Sequence, residues 1–146
     1  MSKSNVWETG LLNLLYNNTA FTLVGDAAGL LASAAAGSLF VSLHTADPGE
    51  AGDQTTSEAT YTGYARVAVA RSGAGWTVSG AQVTNAAAVA FPACTAGSNT
   101  ITYFGVGTST SGAGKLLYKG ALTASLAVSN GITPNFAIAG ITCTED

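Results

Sequence analysis

The residue types that can do chemistry are few in this chain, and they gather around one histidine. His44 is the only imidazole among 146 residues, and Asp47 and Glu50 follow it within six positions. A histidine beside carboxylates is the raw material of a metal site or of a general acid–base pair. A structural zinc site needs four nitrogen or sulfur ligands and a catalytic one usually three, whereas the chain adds only two distant thiols, Cys94 and Cys143. Calcium takes oxygen ligands, which Asp47, Glu50 and Asp53 supply from one loop. The EF-hand spacing is absent, however, and loop acids of this kind are ordinarily solvated. No metal and no cofactor are expected.

Nucleophilic and phosphate chemistry fare no better. Serines abound, but no G-x-S-x-G elbow occurs, and a lone histidine at a strand end is more often a hydrogen-bonded structural residue. Glycoside hydrolysis needs two facing carboxylates, and the eight acids (Glu8, Asp26, Asp47, Glu50, Asp53, Glu58, Glu145, Asp146) lie in termini and turns. Gly105-Val106-Gly107 precedes Thr108 with no helix after it, so it does not read as a phosphate cradle. No catalytic residue is expected, and the protein does not read as an enzyme. Trp76 and Tyr103 are of a type that stacks sugars, but core packing is the plainer role. Tyr61 and Tyr64, at the edge of a polar loop, suit a subunit contact better, because aromatic side chains anchor interfaces.

The elements that must position these residues are mainly strands. In Ser38–Arg71 a strand, a long polar loop and a second strand succeed one another. Leu39, Val41 and Leu43 alternate with Phe40, Ser42 and His44. Asp47-Pro48-Gly49 stops the first strand, since proline has no ladder donor. Alternation returns at Ala65, Val67 and Val69. Further strands are expected at 38–45, 63–71, 75–79, 82–91, 99–107, 115–123, 125–129 and 132–143, with Asn130-Gly131 as a hairpin turn. Before them, residues 4–17 predict a helix capped by Asn5, with Glu8 at capping-box spacing and Trp7, Leu11, Leu14, Leu15 and Asn18 on one face. That helix either covers a sheet end or reaches into a neighbouring subunit. Ala27–Ala36 reads as a short helical turn or an irregular connection.

The expected fold is therefore mainly β: an antiparallel β-sandwich, jelly-roll-like, with one N-terminal helix. Residues 1–37 would hold the helix and the Ala-rich connection, and 38–146 the sandwich, as one compact domain. The expected core is Leu39, Val41, Leu43, Val67, Val69, Trp76, Val78, Val89, Phe91, Ile101, Phe104, Val106, Leu116, Tyr118, Leu122, Phe136, Ile138 and Ile141.

Composition narrows the partners. Charged residues make up 9% of the chain, against an average of roughly 25%. A surface so poor in charge implies that much of it faces other protein subunits. The five basic residues are scattered and the net charge is −3, which disfavours nucleic acid. No apolar run approaches a membrane span, and the N-terminus does not read as a signal peptide. The two cysteines read as free, small, buried or half-buried thiols of a protein made in the cytoplasm, in preference to a disulfide.

One resemblance ties the chain to a setting. SLHTADPGE, TYTGYARVAVAR, VTNAAAVAFPA, TITYFGVGT and GKLLYKGALT occur in that order over about residues 38–125. This series resembles a family of small tailed-bacteriophage and prophage virion structural proteins, labelled tail-fibre or head-decoration proteins. The resemblance implies a non-enzymatic virion protein. The leading expectation is a decoration or cement protein on the head surface that binds the major capsid protein and forms a homo-oligomer, a dimer or trimer. The alternative is a tail-fibre or tail-tip component that contacts tail proteins and binds a host surface glycan. The expected contact residues are Trp7, Leu11, Asp47, Pro48, Tyr61 and Tyr64.

Overall fold

A computed structural model describes residues 2–145. The chain is mainly β with antiparallel sheets and one N-terminal helix, as the alternation predicts. Its contacts gather into two units, one built from residues up to Ser38, Ala70–Ala88 and the residues from Ala137 on, the other from Leu39–Val69 and Val89–Phe136.

The first unit packs helix α1 (Asn5–Asn17) on a three-stranded sheet of β3 (Trp76–Ser79), β4 (Gln82–Asn85) and β9 (Thr142–Thr144), in the order β3-β4-β9. The helix starts one residue earlier than its expected cap. Ser4, not Asn5, is the N-cap, and its hydroxyl accepts from the Trp7 N–H at 3.4 Å. Glu8 thereby moves one position beyond the capping-box place and is buried instead. Asn18 ends the helix in the left-handed region at φ 52°, a conformation that asparagine tolerates better than most residues.

The inward face of α1 is Glu8, Leu12 and Tyr16, spaced by four, and not the expected Trp7–Leu11–Leu14–Leu15 stripe. Both rows are apolar enough to compete. Tyr16 decides the outcome by meeting Trp76 edge-on, with ring centroids 4.8 Å apart. Each such fully buried side chain contributes on the order of 1.5–3 kcal/mol. The α1 C-terminus has no basic residue in its last turn, and Arg71 supplies one from far along the chain. Its guanidinium donates to the Leu15 carbonyl at 2.6 Å, to Leu14 at 2.7 Å and to Ala36 at 3.1 Å. A cation at this end also complements the helix dipole.

Asn85 plays the corresponding role for the C-terminal segment. Fully buried, it donates to the carbonyls of Ala87 and Ala137 and accepts from the Ile141 N–H, all within 2.8 Å. This clamp, with Ala139 at φ 58°, interrupts the long strand expected at 132–143 and turns Ile138 outward to 67% exposure. The Ala27–Ala36 stretch is irregular and not helical, and Phe21 forms an isolated bridge with Leu30.

The second unit holds a four-stranded sheet, ordered β2-β1-β6-β7, of β1 (Ser38–His44), β2 (Val67–Ala70), β6 (Asn99–Gly107) and β7 (Leu116–Val128). A two-stranded ribbon of β5 (Val89–Ala90) and β8 (Asn135–Phe136) completes it. β1 lies in the sheet interior and sets the core: Val41 stands opposite Val106, and Leu43 opposite Phe104. Phe104, Phe136, Phe91 and Tyr64 then run ring to ring through this core.

Several expected strands are redistributed. The expected strand 82–91 divides into β4 and β5, which belong to different units. The pair at 115–123 and 125–129 is one 13-residue strand, β7, whose register against β6 slips between Ile101 and Tyr103 and again between Val106 and Gly107. Asn130-Gly131 does form a turn, closed by Ile132 N–H donating to Ser129 at 2.9 Å. Only Gly131 has positive φ, so the turn is not the type I′ geometry that folds two strands into a hairpin. β8 pairs with β5 and not with β7.

Candidate functional site

His44 sits at the end of β1 with both ring nitrogens engaged. Nδ1 lies 2.8 Å from the Thr56 carbonyl and Nε2 lies 2.9 Å from Ser42 Oγ. A carbonyl can only accept, so Nδ1 carries the proton and Nε2 accepts from the serine hydroxyl. Burial lowers the His44 pKa from 6.5, which keeps the ring neutral. A serine on a neutral histidine is the first half of a nucleophilic dyad. Here, though, both side chains are wholly buried, and a backbone carbonyl takes the place of the orienting carboxylate. The lid is Gly105, which faces Ser42 across β1 and β6. A Cβ at Gly105 would stand 2.7 Å from both Ser42 Oγ and His44 Nε2. The dyad is a sealed structural bond between β1 and the loop that follows it.

That loop is pinned at three further places. Glu58 and Arg66 form a two-pronged pair, with Arg66 Nε donating to Oε1 at 2.6 Å and Nη2 to Oε2 at 2.8 Å. Arg66 also donates to the carbonyls of Ser109 and Gly112, at 2.9 and 2.8 Å, and so ties the 108–114 turn to the loop. The Tyr64 hydroxyl joins by donating to Glu58 at 2.9 Å and accepting from the Leu43 N–H at 3.1 Å. Burial raises the Tyr64 pKa far above the usual phenol, so it stays a donor. A cleft of 250 Å³ opens beside this cluster, lined by Glu58, Tyr64, Arg66 and the 110–112 turn. Its charged groups already satisfy one another.

Gln54 is the second pin. Fully buried, it accepts from the Ser109 N–H at 2.9 Å and donates to Phe40 at 3.3 Å. Its amide fills the space that side chains at Gly107 and Gly114 would occupy. The third pin is Lys119 on β7, which pairs with Asp47 at 2.9 Å and Glu50 at 3.4 Å. Asp47 also accepts from the Gly49 N–H, and this bond first, then Lys119, lowers its pKa. Asp53 is lowered by the Thr55 hydroxyl and N–H, both bonded to Oδ1. The three loop acids weighed for calcium are thus engaged locally. Among the described residues, no three His, Cys, Asp or Glu side chains gather as a metal site would require.

The expected contact residues separate accordingly. Trp7 is 36% exposed and packs on Phe21, Leu11 is half-buried, and Asp47 is exposed. Pro48 is buried, and Tyr61 is 3% exposed with its hydroxyl donating to the Pro92 carbonyl at 3.0 Å. Tyr64 is half-buried at the ion pair. Tyr61 and Tyr64 were expected to anchor a subunit contact; within the chain their rings meet edge-on at 5.4 Å, and Tyr64 stacks on Phe91. The Glu58–Arg66 pair was not singled out from the sequence. Seven residues, including Gly63 at φ 99°, separate its partners, and no local spacing signals the pairing. Cys94 and Cys143 are both buried and free, and burial raises the Cys143 thiol to about 11.

The clustered polar side chains bond to one another and to the backbone, and so tie the loop to the sheet and to the 108–114 turn. Comparison with known proteins adds one finding: the family model described as podophage GP4 fiber I protein gp80 matches residues 2–144. No curated protein matches the chain.

Proposed function

As the chain belongs to the podophage GP4 fiber I protein gp80 family, a family of phage virion structural proteins, we propose that it is a non-enzymatic subunit of a tail fibre. The family match over residues 2–144 carries this reading. It favours the tail over the head-cement role that the sequence first suggested. The chemistry is consistent with it. The one Ser–His pair is sealed, and Glu58 is spent on Arg66. Four of the five basic side chains are engaged within the chain, Lys3 with Glu145, Arg66 with Glu58, Lys119 with Asp47 and Glu50, and Arg71 with helix carbonyls. Such a subunit acts by shape and by burying surface against its neighbours, with tail proteins as its partners and the virion as its place. Phage lacking this gene tests the reading. Intact filled heads with missing or shortened fibres support it, whereas normal fibres on heads that burst on mild heating would restore the cement role.

A further inference from the structure

Asn130-Gly131 is the one Asn-Gly step in the chain, and Ser129, Asn130 and Gly131 are all exposed. An asparagine before glycine carries its own reaction. The glycine nitrogen attacks the side-chain carbonyl carbon, and the missing Cβ leaves that approach uncrowded. A bond from the Gly131 nitrogen to Asn130 Cγ would form, the Cγ–NH2 bond would break, and the amide nitrogen would leave as ammonia with the proton of the attacking N–H. Water then opens the cyclic imide at either carbonyl, giving aspartate or isoaspartate. No catalyst or further reactant is needed.

The folded chain opposes this reaction in two ways. The Gly131 N–H donates to the Cys94 carbonyl at 2.8 Å, and the Cys94 N–H donates to the Ile132 carbonyl at 2.8 Å. Cys94 is only 1% exposed, so the attacking nitrogen is bonded against a buried residue. The second obstacle is the turn itself. Ile132 N–H donates to the Ser129 carbonyl, Gly131 has φ 88° and Asn130 has no positive φ, which is the type II arrangement. Imide closure needs Cβ and the Gly131 nitrogen on the same side of the Asn130 Cα–C bond, the ψ of the mirror-image type II′ turn. A type II turn sets that ψ at about +120°, with the nitrogen swung away. Both flanks hold the turn in place. Val128 before it is buried and pairs with Asn99, and after it Phe91 N–H donates to the Pro134 carbonyl while β8 pairs with β5.

We propose that Asn130 is a fold-gated modification site, which deamidates through an imide with Gly131 when the contact between Cys94 and residues 131–132 opens and is spared while that contact is closed. The two products differ in consequence. Aspartate keeps the backbone and adds an exposed charge. Isoaspartate routes the main chain through the side chain and adds a backbone carbon before the Gly131 nitrogen, so the turn can no longer close on Ser129 while Gly131 reaches Cys94. A chain that stays open is therefore marked irreversibly.

The test holds the full chain folded and, in parallel, in denaturant, in the same mildly alkaline buffer. Digestion and mass spectrometry then read the peptide containing residue 130, with aspartate and isoaspartate separated. Asn130 should convert on the order of tenfold or more slowly in the folded chain, since local opening must precede the reaction. Raising denaturant below the unfolding transition should speed the conversion in step with exchange of the Gly131 amide. Asn130→Gln should abolish the product in both states, and Asn130→Asp should melt as wild type does, above the isoaspartate fraction. Folded and unfolded chains converting at the same rate would overturn the gating, as would conversion that does not follow Gly131 exchange. An unfolded chain that keeps Asn130 intact would overturn the site, and an isoaspartate fraction melting with Asn130→Asp would overturn the effect on the turn.

Discussion

Arg66 offers the sharpest test of how the loop scaffold is held. Replacing it with methionine keeps most of the aliphatic stem and removes the guanidinium. Its side chain is 2% exposed and that of Glu58 16%, so the abandoned carboxylate remains largely buried. Removing one partner of a buried ion pair costs roughly 3–5 kcal/mol. The carbonyls of Ser109 and Gly112 also lose their donor. Solvent reaching Glu58 offsets part of this, which favours the lower end, about 3 kcal/mol. For a chain of this length that lowers Tm by roughly 6–12 °C. The double variant Glu58→Leu/Arg66→Met removes the stranded charge as well, and should recover part of the loss. Thermal unfolding followed by circular dichroism reads all three. An Arg66→Met protein melting within about 2 °C of wild type, or a double variant melting below Arg66→Met, would refute the reasoning.

Four further outcomes follow from the same packing. Gly105→Ala forces a methyl against Ser42 and His44 and should cost about 1–3 kcal/mol; an unchanged Tm would mean that the dyad is not sealed as described. His44 has a lowered pKa, so the stability it contributes is complete above 6.5 and is lost as pH falls below that value toward its folded pKa. A pH series of Tm should show this loss in wild type, before the Asp47 and Asp53 losses that begin below 3.8, and His44→Asn should remove it. Arg71→Ala strips donors from two α1 carbonyls and should destabilise by about 2 kcal/mol, read by denaturant titration; an unchanged midpoint would contradict the capping role. Native protein at pH 8 should resist a thiol reagent at Cys143, whose pKa is raised to about 11, and react fully once unfolded; rapid native labelling would contradict its burial.

The sequence was informative where local pattern and tertiary packing agree. Alternation located β1 and the start of the 38–71 unit, and the apolar stripe located α1. It was silent where distant residues decide. The α1 face depended on Tyr16 finding Trp76, and the helix end on Arg71. Neither partner is visible at helical spacing. The long apparent strands at 82–91 and 132–143 were broken by Asn85, a buried side chain whose three bonds reach residues up to 56 positions away. The histidine is a middle case. Its structural role was readable from its isolation, but its partner Ser42 lay on the face expected to be the less buried one. The ring contacts of Tyr61 and Tyr64 with each other and with Phe91 were not legible, because Phe91 lies far along the chain from the loop.

The central claim is that this chain is a fibre subunit of a phage virion. It is tested most directly by imaging virions whose copy of this protein carries a small label. The account predicts label confined to fibres at the tail. Label spaced regularly over the head shell, or absent from mature particles, would contradict it.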